Sequence, residues 1–384
     1  MEGFFYAYKK RGDRQRIVIK IGSSSLTTKS GALSIEKVRL YVDAIAKLKR
    51  AGHEVVLISS GAVAAGFTKL GYPTRPVTIA GKQAAAAVGQ ALLMQAYITE
   101  FARHDMTPAQ LLLTRDDFSD QTRYSNAYST LNELLKRGAI PIINENDSIS
   151  IVELTFGDND MLSALVSGLC HANLLCIMTD VNGLYDANPM TNKNAKKIHY
   201  LPKLTDDLLQ IAEDTSSSVG TGGMKSKASA AKTALSLGVD VFIGKGTEPD
   251  MFLDILAGKG DGTYIGSFRS EPVMPMKKQW IALHSTSTAT VTIDAGAEKA
   301  LLKGGKSLLP VGIIDVSGHF EEGDVIDVKN EQGELVGKGK ASIAIDEFKR
   351  YMEQRRANDD KKLKSPVVIH RDEWVPLKKE TMNR

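Results

Sequence analysis

Cysteine is scarce in this chain, and long apolar runs are missing. Cys170 and Cys176 are the only cysteines in 384 residues, and they lie in an apolar stretch without metal-type spacing. This predicts two buried thiols and argues against a disulfide framework. No window reaches the ~18 uninterrupted apolar residues of a membrane helix. The opening MEGFFYAYKKRGDRQR lacks the apolar core of a signal peptide, so we expect a cytoplasmic protein with no membrane partner.

Two common nucleotide-binding signatures are missing as well. GGKS at 304–307 comes nearest to a P-loop, but Ala300 stands where the first glycine is needed. The dinucleotide pattern G-x-G-x-x-G does not occur in the sequence. A phosphate site in this chain therefore has to be built from other loops.

Charge and apolar content are those of an ordinary globular protein, with 42% hydrophobic and 24% charged residues. The 49 Lys and Arg exceed the 45 Asp and Glu by four. Residues 279–384 hold 17 of each sign, so the excess belongs to the first part of the chain. This mild excess does not require nucleic acid and suits an anionic substrate such as ATP.

Apolar strands alternate with amphipathic helices over about the first 270 residues. Strands are predicted at 17–21, 54–58, 110–114, 139–143, 174–178 and 239–243. Helices are predicted at 35–50, 83–104, 121–137, 160–170 and 224–237. The alternation indicates an α/β fold with a mostly parallel sheet covered by helices on both faces.

The pattern of apolar and polar residues changes near Trp280. Short alternating runs broken by Gly and Asp follow it and predict a small β-rich domain, with a helix at 343–358 and a last strand in VVIHRDEWVPL. We therefore expect two domains, 1–278 and 279–384.

Three loops rich in Gly and Ser follow a strand or precede a helix. They are 20–23, 59–62 and 220–223, the last directly before the helix predicted at Met224. Glycine lets a backbone approach an anion, and a helix N-terminus offers free N–H groups. Taken alone, each loop is more typical of an ordinary turn than of a phosphate site. GTGGMKSK is the stronger signal because it adds Lys225 and Lys227.

Acidic and amide residues cluster after one predicted strand and at the start of the next helix. NEND occupies 144–147 and GDND occupies 157–160. Part of this pattern is typical of turns and of a helix cap at Asp158 or Asn159. The functional interpretation is a pocket for a small zwitterion, in which carboxylates bind an ammonium group and amides bind a carboxylate.

A further polar loop, TDVNGLY at 179–185, follows another predicted strand. Asn182 and Gly183 suit a tight turn. Thr179 and Asp180 then lie at the carboxyl end of the strand, where ligands of open α/β sheets bind. We expect them near a nucleotide.

Together these motifs resemble the amino acid kinase superfamily, and within it the glutamate 5-kinase family. The resemblance is carried by IVIKIGSSSL, ISSGAVAAG, SDQTRYSNAYSTL, PIINENDSI, FGDNDMLSALV, TDVNGLYDANP and GTGGMKSKASAA. It continues through WIALHSTSTATVTIDAGAEKALLKGGKSLLPVGI and VVIHRDEWV, and so covers nearly the whole chain. The second part resembles a PUA domain, a small fold often found in RNA-modifying proteins. The resemblance implies an αβα sandwich in which a glutamate site faces an ATP site.

The resemblance also implies catalytic and substrate-binding roles. Lys20 and Lys227 would act on the phosphoryl group, and Asp160 would orient both lysines. The expected glutamate-binding residues are Ser60, Asp147 and Asn159, with Asn144 as a helper.

For ATP, the resemblance implies contacts from two polar loops in addition to Lys20. The expected residues are Thr179, Asp180, Thr221, Gly222, Gly223, Met224, Lys225, Ser226 and Lys227. Ser226 stands where the family more often has Thr, and Ser148 stands where it commonly has Ala. The hydroxyl of residue 226 is kept.

This residue set suits phosphoryl transfer to a carboxylate. A glutamate side chain, with a pKa of about 4.3, is already ionised at neutral pH and needs no general base. Positioning and charge stabilisation would supply the acceleration, with Mg²⁺ held largely by the phosphates. The resemblance also implies feedback inhibition by proline, and we expect a homo-oligomer.

Two other functions stay open on the sequence. One is another amino acid kinase, acting on N-acetylglutamate, aspartate, carbamate or UMP. Asp147 argues against an acetylated amine, because only a free ammonium group compensates a buried carboxylate. The other is RNA binding through residues 279–384, where Lys361, Lys362 and Lys364 form a local basic patch. The balance of 17 positive and 17 negative residues argues against strong phosphate-driven affinity.

Overall fold

The computed structural model divides the chain into two compact units. One comprises residues 1–117 and 125–273, and the other comprises 118–124 and 274–384. The structure describes residues 14–28, 30–149, 159–187, 191–205, 223–268, 276–283, 285, 287–357 and 365–377. Within these ranges, no helix combines the length and the apolar character needed to cross a membrane.

The elements up to residue 268 follow the predicted alternation. The strands are β1 (Arg16–Ile21), β2 (Glu54–Ser59), β3 (Pro108–Leu113), β4 (Ile140–Glu145), β5 (Leu174–Met178), β6 (Leu184–Tyr185), β7 (Lys197–Ile198), β8 (Tyr200–Leu201), β9 (Asp240–Lys245) and β10 (Asp261–Ile265). The helices are α1 (Ile35–Arg50), α2 (Ala62–Gly66), α3 (Ile79–Ala102), α4 (Asp116–Ser119), α5 (Gln121–Lys136), α6 (Asn159–Leu169), α7 (Met224–Ser236) and α8 (Met251–Leu256).

Eight of these strands form one sheet in the order β3-β4-β2-β1-β5-β9-β10-β8. β1 lies in the middle and pairs in parallel with β2 and β5, while β10 runs antiparallel to β9. The prediction of a mostly parallel sheet is confirmed. Because parallel strands end at the same edge, the loops after β1, β2, β4 and β5 lie together.

Both faces of this sheet are buried. Ile17, Ile19 and Ile21 belong to a core cluster that also contains side chains of α1, α3 and α8. The alternate residue Val18 is fully buried too, and α6 packs against β1. Cys170 and Cys176 are buried free thiols, as predicted.

Helix α3 begins four residues earlier than its apolar pattern indicates. Thr78 is its N-cap, and its hydroxyl accepts a hydrogen bond from the N–H of Gly81, which stabilises the first turn. Its small residues allow very close packing against α2. A Cβ atom at Gly89 would overlap the carbonyl oxygen of Ala62, and one at Gly66 would overlap that of Ala85.

The second unit is built on a five-stranded sheet in the order β12-β11-β13-β14-β15. Its elements include α9 (Met276–Leu283), β11 (Ala289–Ile293), α10 (Ala295–Gly304), β12 (Ile313–Gly318), β13 (Val325–Lys329), β14 (Leu335–Ala341), α11 (Ile345–Ala357) and β15 (Ile369–Pro376). Val291, Phe320 and Trp374 lie in its core. The prediction of a small β-rich domain is confirmed.

Candidate active site

Three charged side chains from three separate elements meet beside the middle of the large sheet. Lys20 is near the end of β1, Asp160 is in the first turn of α6, and Lys227 is in the first turn of α7. Their residues are 4%, 0% and 8% exposed. Lys20 Nζ lies 2.5 Å from Asp160 Oδ1, and Lys227 Nζ lies 3.2 Å from Oδ2. The Ser226 hydroxyl also donates to Oδ2, at 3.1 Å.

This ionic cluster controls the charge state of Asp160. Burial by itself raises the pKa of the carboxyl group, but Lys20 and Lys227 outweigh it and hold the pKa below its ordinary value. One carboxylate between two ammonium groups leaves a local excess of positive charge. Such a cluster, largely shielded from water, attracts an anion to the edge of the sheet.

The first turn of α7 adds backbone donors beside Lys227. Gly223 is its N-cap and has no side chain that could cap the N–H groups of the first turn. The side chain of Lys225 is exposed, whereas that of Lys227 is buried. Thr221 and Gly222 lie outside the described residues. The helix start therefore has the features of a phosphate site.

Thr179 and Asp180 lie just beyond the end of β5, next to β1. The Thr179 N–H donates to the carbonyl oxygen of Gly244 at 3.0 Å, and its hydroxyl donates to Asp180 Oδ1 at 3.1 Å. Gly183 has a φ of +120°, and a Cβ there would lie 2.7 Å from Thr263 Oγ1. The loop thus turns sharply and keeps both residues at the carboxyl edge of the sheet.

A buried amide cluster joins the ends of β2 and β4 to the start of α6. Asn159 Nδ2 donates to the carbonyl oxygen of Ser59 at 2.9 Å and to Ser60 Oγ at 3.0 Å. It also donates to Asn144 Oδ1 at 2.8 Å. Three of the residues selected from the sequence, Ser60, Asn144 and Asn159, are therefore in direct contact. Asn159 is the direct neighbour of Asp160, so the cluster adjoins the charged centre.

Asp147 lines a neighbouring cavity of about 310 Å³, together with Gln90, Glu145 and residues of α2, α3 and β3. Burial, and then the nearby Glu145, raise the pKa of Asp147 to about 6, and Arg75 partly opposes the shift. Among the described residues, no hydrogen bond links Asp147 to the amide cluster. At neutral pH this carboxylate therefore favours a cationic group as its partner.

Comparisons with known proteins identify the family. Residues 15–245 match the Amino acid kinase family, and residues 289–361 match the PUA domain. A glutamate 5-kinase from Halalkalibacterium halodurans is 61% identical over 371 residues, which are 96% of this chain and 98% of that protein. The chain belongs to the glutamate 5-kinase family. A glutamate 5-kinase from Bacillus cereus is 58% identical over 366 residues, covering 95% of this chain and all of that protein.

Among solved structures, the chain is also similar to a carbamate kinase from Giardia lamblia bound to AMP-PNP. That chain is 17% identical, with a TM-score of 0.48, and the match covers 66% of this chain and 99% of that one. This distant similarity does not bear on the substrate. The similarity to glutamate 5-kinases, which extends over nearly the whole chain, does bear on the substrate. It agrees with the resemblance seen in the motifs.

Two polar side chains that the sequence analysis missed support the site from α3. Gln90 Oε1 accepts a hydrogen bond from Asn144 Nδ2 at 2.8 Å, and the Tyr97 hydroxyl lies 2.8 Å from Ser59 Oγ. They are seven positions apart, or about two helical turns, and so share one face of the helix. The helix also carries Lys82, Gln83, Gln95 and Glu100, so its sequence alone does not single out Gln90 and Tyr97.

Proposed function

We propose that this chain transfers the γ-phosphoryl group of ATP to the side-chain carboxylate of L-glutamate. The product is L-glutamyl 5-phosphate, and the reaction is the first step of proline biosynthesis. The observation that carries the proposal is the buried contact of Lys20 and Lys227 with the two oxygens of Asp160, directly beside an amide cluster. Membership in the glutamate 5-kinase family supplies the substrate.

The chemistry requires charge stabilisation more than proton transfer. The attacking carboxylate is ionised at neutral pH and approaches a phosphoryl group that is itself negative. Lys20 and Lys227 neutralise this charge from two different elements. Asp160 holds both ammonium groups in place before the substrates bind, so little reorganisation accompanies the transfer.

The amino acid end of the substrate is proposed to enter the cavity beside Asp147. The ionised Asp147 binds the α-ammonium group. Ser60, Asn144 and Asn159 form the boundary between this cavity and the charged centre. A free ammonium group compensates Asp147, whereas the amide of N-acetylglutamate does not. The site thus favours the unmodified amino acid.

ATP is proposed to bind at the other side of the charged centre. Its contacts are Lys20, Thr179, Asp180 and the start of α7 with Lys225, Ser226 and Lys227. We propose that ATP binds together with Mg²⁺. Within the described ranges no three His, Cys, Asp or Glu side chains group as a metal site, and Asp160 is engaged by two lysines. These residues fit an ion held mainly by phosphate oxygens, which is the usual mode of Mg²⁺.

Finer features of the protein are proposed from the family resemblance. They are a cytoplasmic location, assembly as a homo-oligomer, feedback inhibition by proline, and a division into a kinase domain at 1–278 and a PUA-like domain at 279–384. Size-exclusion chromatography with light scattering tests the assembly. Titration of proline against initial rates tests the inhibition.

The substrate assignment is tested by trapping the acyl phosphate with hydroxylamine. L-Glutamate should give ATP- and Mg²⁺-dependent hydroxamate, because its free ammonium group pairs with Asp147. N-acetylglutamate and aspartate should give little, since one lacks the ammonium group and the other is one methylene shorter. Equal activity with N-acetylglutamate would contradict the assignment.

A further inference from the structure

Backbone groups fix the orientation of the amides in the buried cluster. The carbonyl oxygen of Ser59 can only accept a hydrogen bond, so the atom of Asn159 that lies 2.9 Å from it must be the nitrogen. That nitrogen also faces Asn144, at 2.8 Å, and its partner there must be the oxygen. The direction of the first two amides follows from the backbone alone.

The backbone N–H of Glu145 confirms this direction independently. It donates to Asn144 Oδ1 at 2.9 Å, and an N–H group cannot accept. The nitrogen of Asn144 is thereby directed to the opposite side, where it lies 2.8 Å from Gln90. Gln90 must present its oxygen to this nitrogen, because two NH₂ groups cannot form a hydrogen bond.

The NH₂ group of Gln90 is consequently directed away from the cluster. Gln90 lines the cavity of about 310 Å³ that also contains Glu145 and Asp147. Among the described residues, Gln90 Nε2 donates no hydrogen bond. Because Gln90, Glu145 and Asp147 line the same cavity, the remaining donor of this amide is available to a ligand there. The relay through Asn144 and Asn159 prevents the amide from exchanging its nitrogen and oxygen.

We propose that Gln90 is a substrate-binding residue that selects for the α-carboxylate of the amino acid. This inference rests on the proposed function and deepens it. When Asp147 binds the ammonium group, the α-carboxylate is attached to the same carbon atom and must enter the same cavity. Glu145 and Asp147 repel it, so a donor with fixed orientation is needed. Gln90 Nε2 supplies that donor and disfavours a ligand that offers an NH₂ group there.

The decisive variant is Gln90→Glu, which keeps the shape of the side chain. Its carboxylate still accepts from Asn144 Nδ2, so the relay stays intact, but the donor to the cavity is lost and a negative charge replaces it. The ligand pair is L-glutamate and its 1-amide, isoglutamine, in which a carboxamide replaces the α-carboxylate and the side-chain carboxylate remains. Isothermal titration calorimetry measures the Kd of both ligands without requiring turnover.

In the wild-type protein, glutamate should bind more tightly than isoglutamine. In Gln90→Glu this preference should fall by roughly 10- to 100-fold, the usual effect of a hydrogen bond to a charged group. The matched control is Gln95→Glu, which adds the same charge to the exposed face of the same helix. It should leave the preference unchanged.

Two results would overturn the proposal. One is an unchanged preference in Gln90→Glu, and the other is an equal loss of affinity for both ligands, which would indicate a role confined to the relay. Circular dichroism establishes that each variant is folded. Wild-type protein that yields no glutamate-dependent hydroxamate would instead refute the proposed function, so the two failures are distinguishable.

Discussion

The Nζ atom of Lys20 lies 2.5 Å from Oδ1 of Asp160, although 139 residues separate the two in the sequence. The contact joins the middle strand of the sheet to the first turn of α6. A fully buried carboxylate is stable in this position because cations approach both of its oxygens. This contact brings Lys20 to the same carboxylate that Lys227 contacts.

Replacement of Asp160 by Asn should affect both catalysis and stability. The two buried lysines lose their common anchor, so kcat should fall on the order of 10²-fold. Breaking a buried pair costs about 3–5 kcal/mol of unfolding free energy. Steady-state kinetics and urea denaturation measure the two effects.

The pH dependence of stability provides a second measurement on Asp160→Asn. In the wild-type protein, the pKa of Asp160 is lowered by folding. Its carboxylate therefore contributes fully to the free energy of unfolding at pH values above its unfolded pKa of about 3.9. That contribution is lost as the pH falls through the lower, folded value, and the variant should lack this part of the acid dependence. Asp250→Asn is the control, because Asp250 forms an exposed ion pair with Lys47 and should change stability little.

The glutamate KM should rise as the pH falls through about 6. Asp147 titrates there, and its protonated form cannot pair with the ammonium group. The side-chain carboxylate of glutamate, with a pKa of about 4.3, remains ionised at this pH.

Asp147→Asn should raise the glutamate KM strongly, since a desolvated charge pair is worth about 2–5 kcal/mol. The variant should also lose this pH dependence of the glutamate KM. The ATP KM serves as an internal control. A glutamate KM that stays constant between pH 5 and 7.5 would speak against the role of Asp147.

The two lysines at the start of α7 should behave differently. Lys227 is buried against Asp160, whereas the side chain of Lys225 is exposed. Lys227→Ala should lower kcat on the order of 10²-fold or more, with a smaller effect on the ATP KM. Lys225→Ala should cost several-fold at most. Kinetics of both variants, with folding verified by circular dichroism, measure the difference, and the reverse pattern would show that the loop is assigned wrongly.

The close packing of α2 on α3 should be intolerant of even one added methyl group. A Cβ at Gly89 would overlap the Ala62 carbonyl oxygen, and Ala62 begins the helix that follows Ser60. Gly89→Ala should therefore lower the thermal midpoint and raise the glutamate KM, because the helices must separate. Ala84→Ser adds one atom on the exposed side of α3 and is the matched control. Wild-type values of both quantities in Gly89→Ala would contradict this reading.

A chain that ends at Lys278 should retain kinase activity, because every candidate site residue precedes that position. We expect a lower thermal midpoint, since residues 118–124 belong to the second compact unit. Within that unit, the indole of Trp280 donates to the carbonyl oxygen of Phe118 at 3.2 Å, a contact that truncation removes. Hydroxamate formation and differential scanning fluorimetry test this. A folded but inactive truncation would show that the second unit contributes to the site.

Local pattern in the sequence predicted most of the central strands and their helices, whereas the roles of the candidate residues came from the family resemblance. Apolar runs of strand length specified β1 and β2 because both faces of a parallel sheet are buried. Glycine and serine after those strands indicated the loops, and the polar NEND and GDND clusters indicated the ligand-facing ends. The start of α3 was placed too late, because the cap at Thr78 extends the helix beyond its apolar periodicity.

The tertiary structure alone decided which of these residues lie in contact. Asp160 meets Lys227 across 67 positions, Asn159 meets Ser59 across 100, and Asn144 meets Gln90 across 54. Such pairs depend on the order of strands in the sheet and on helix packing, which periodicity does not encode. The direction of the amide relay is likewise a tertiary property, because the backbone N–H of Glu145 and the carbonyl oxygen of Ser59 impose it only after β2, β4 and α6 have come together.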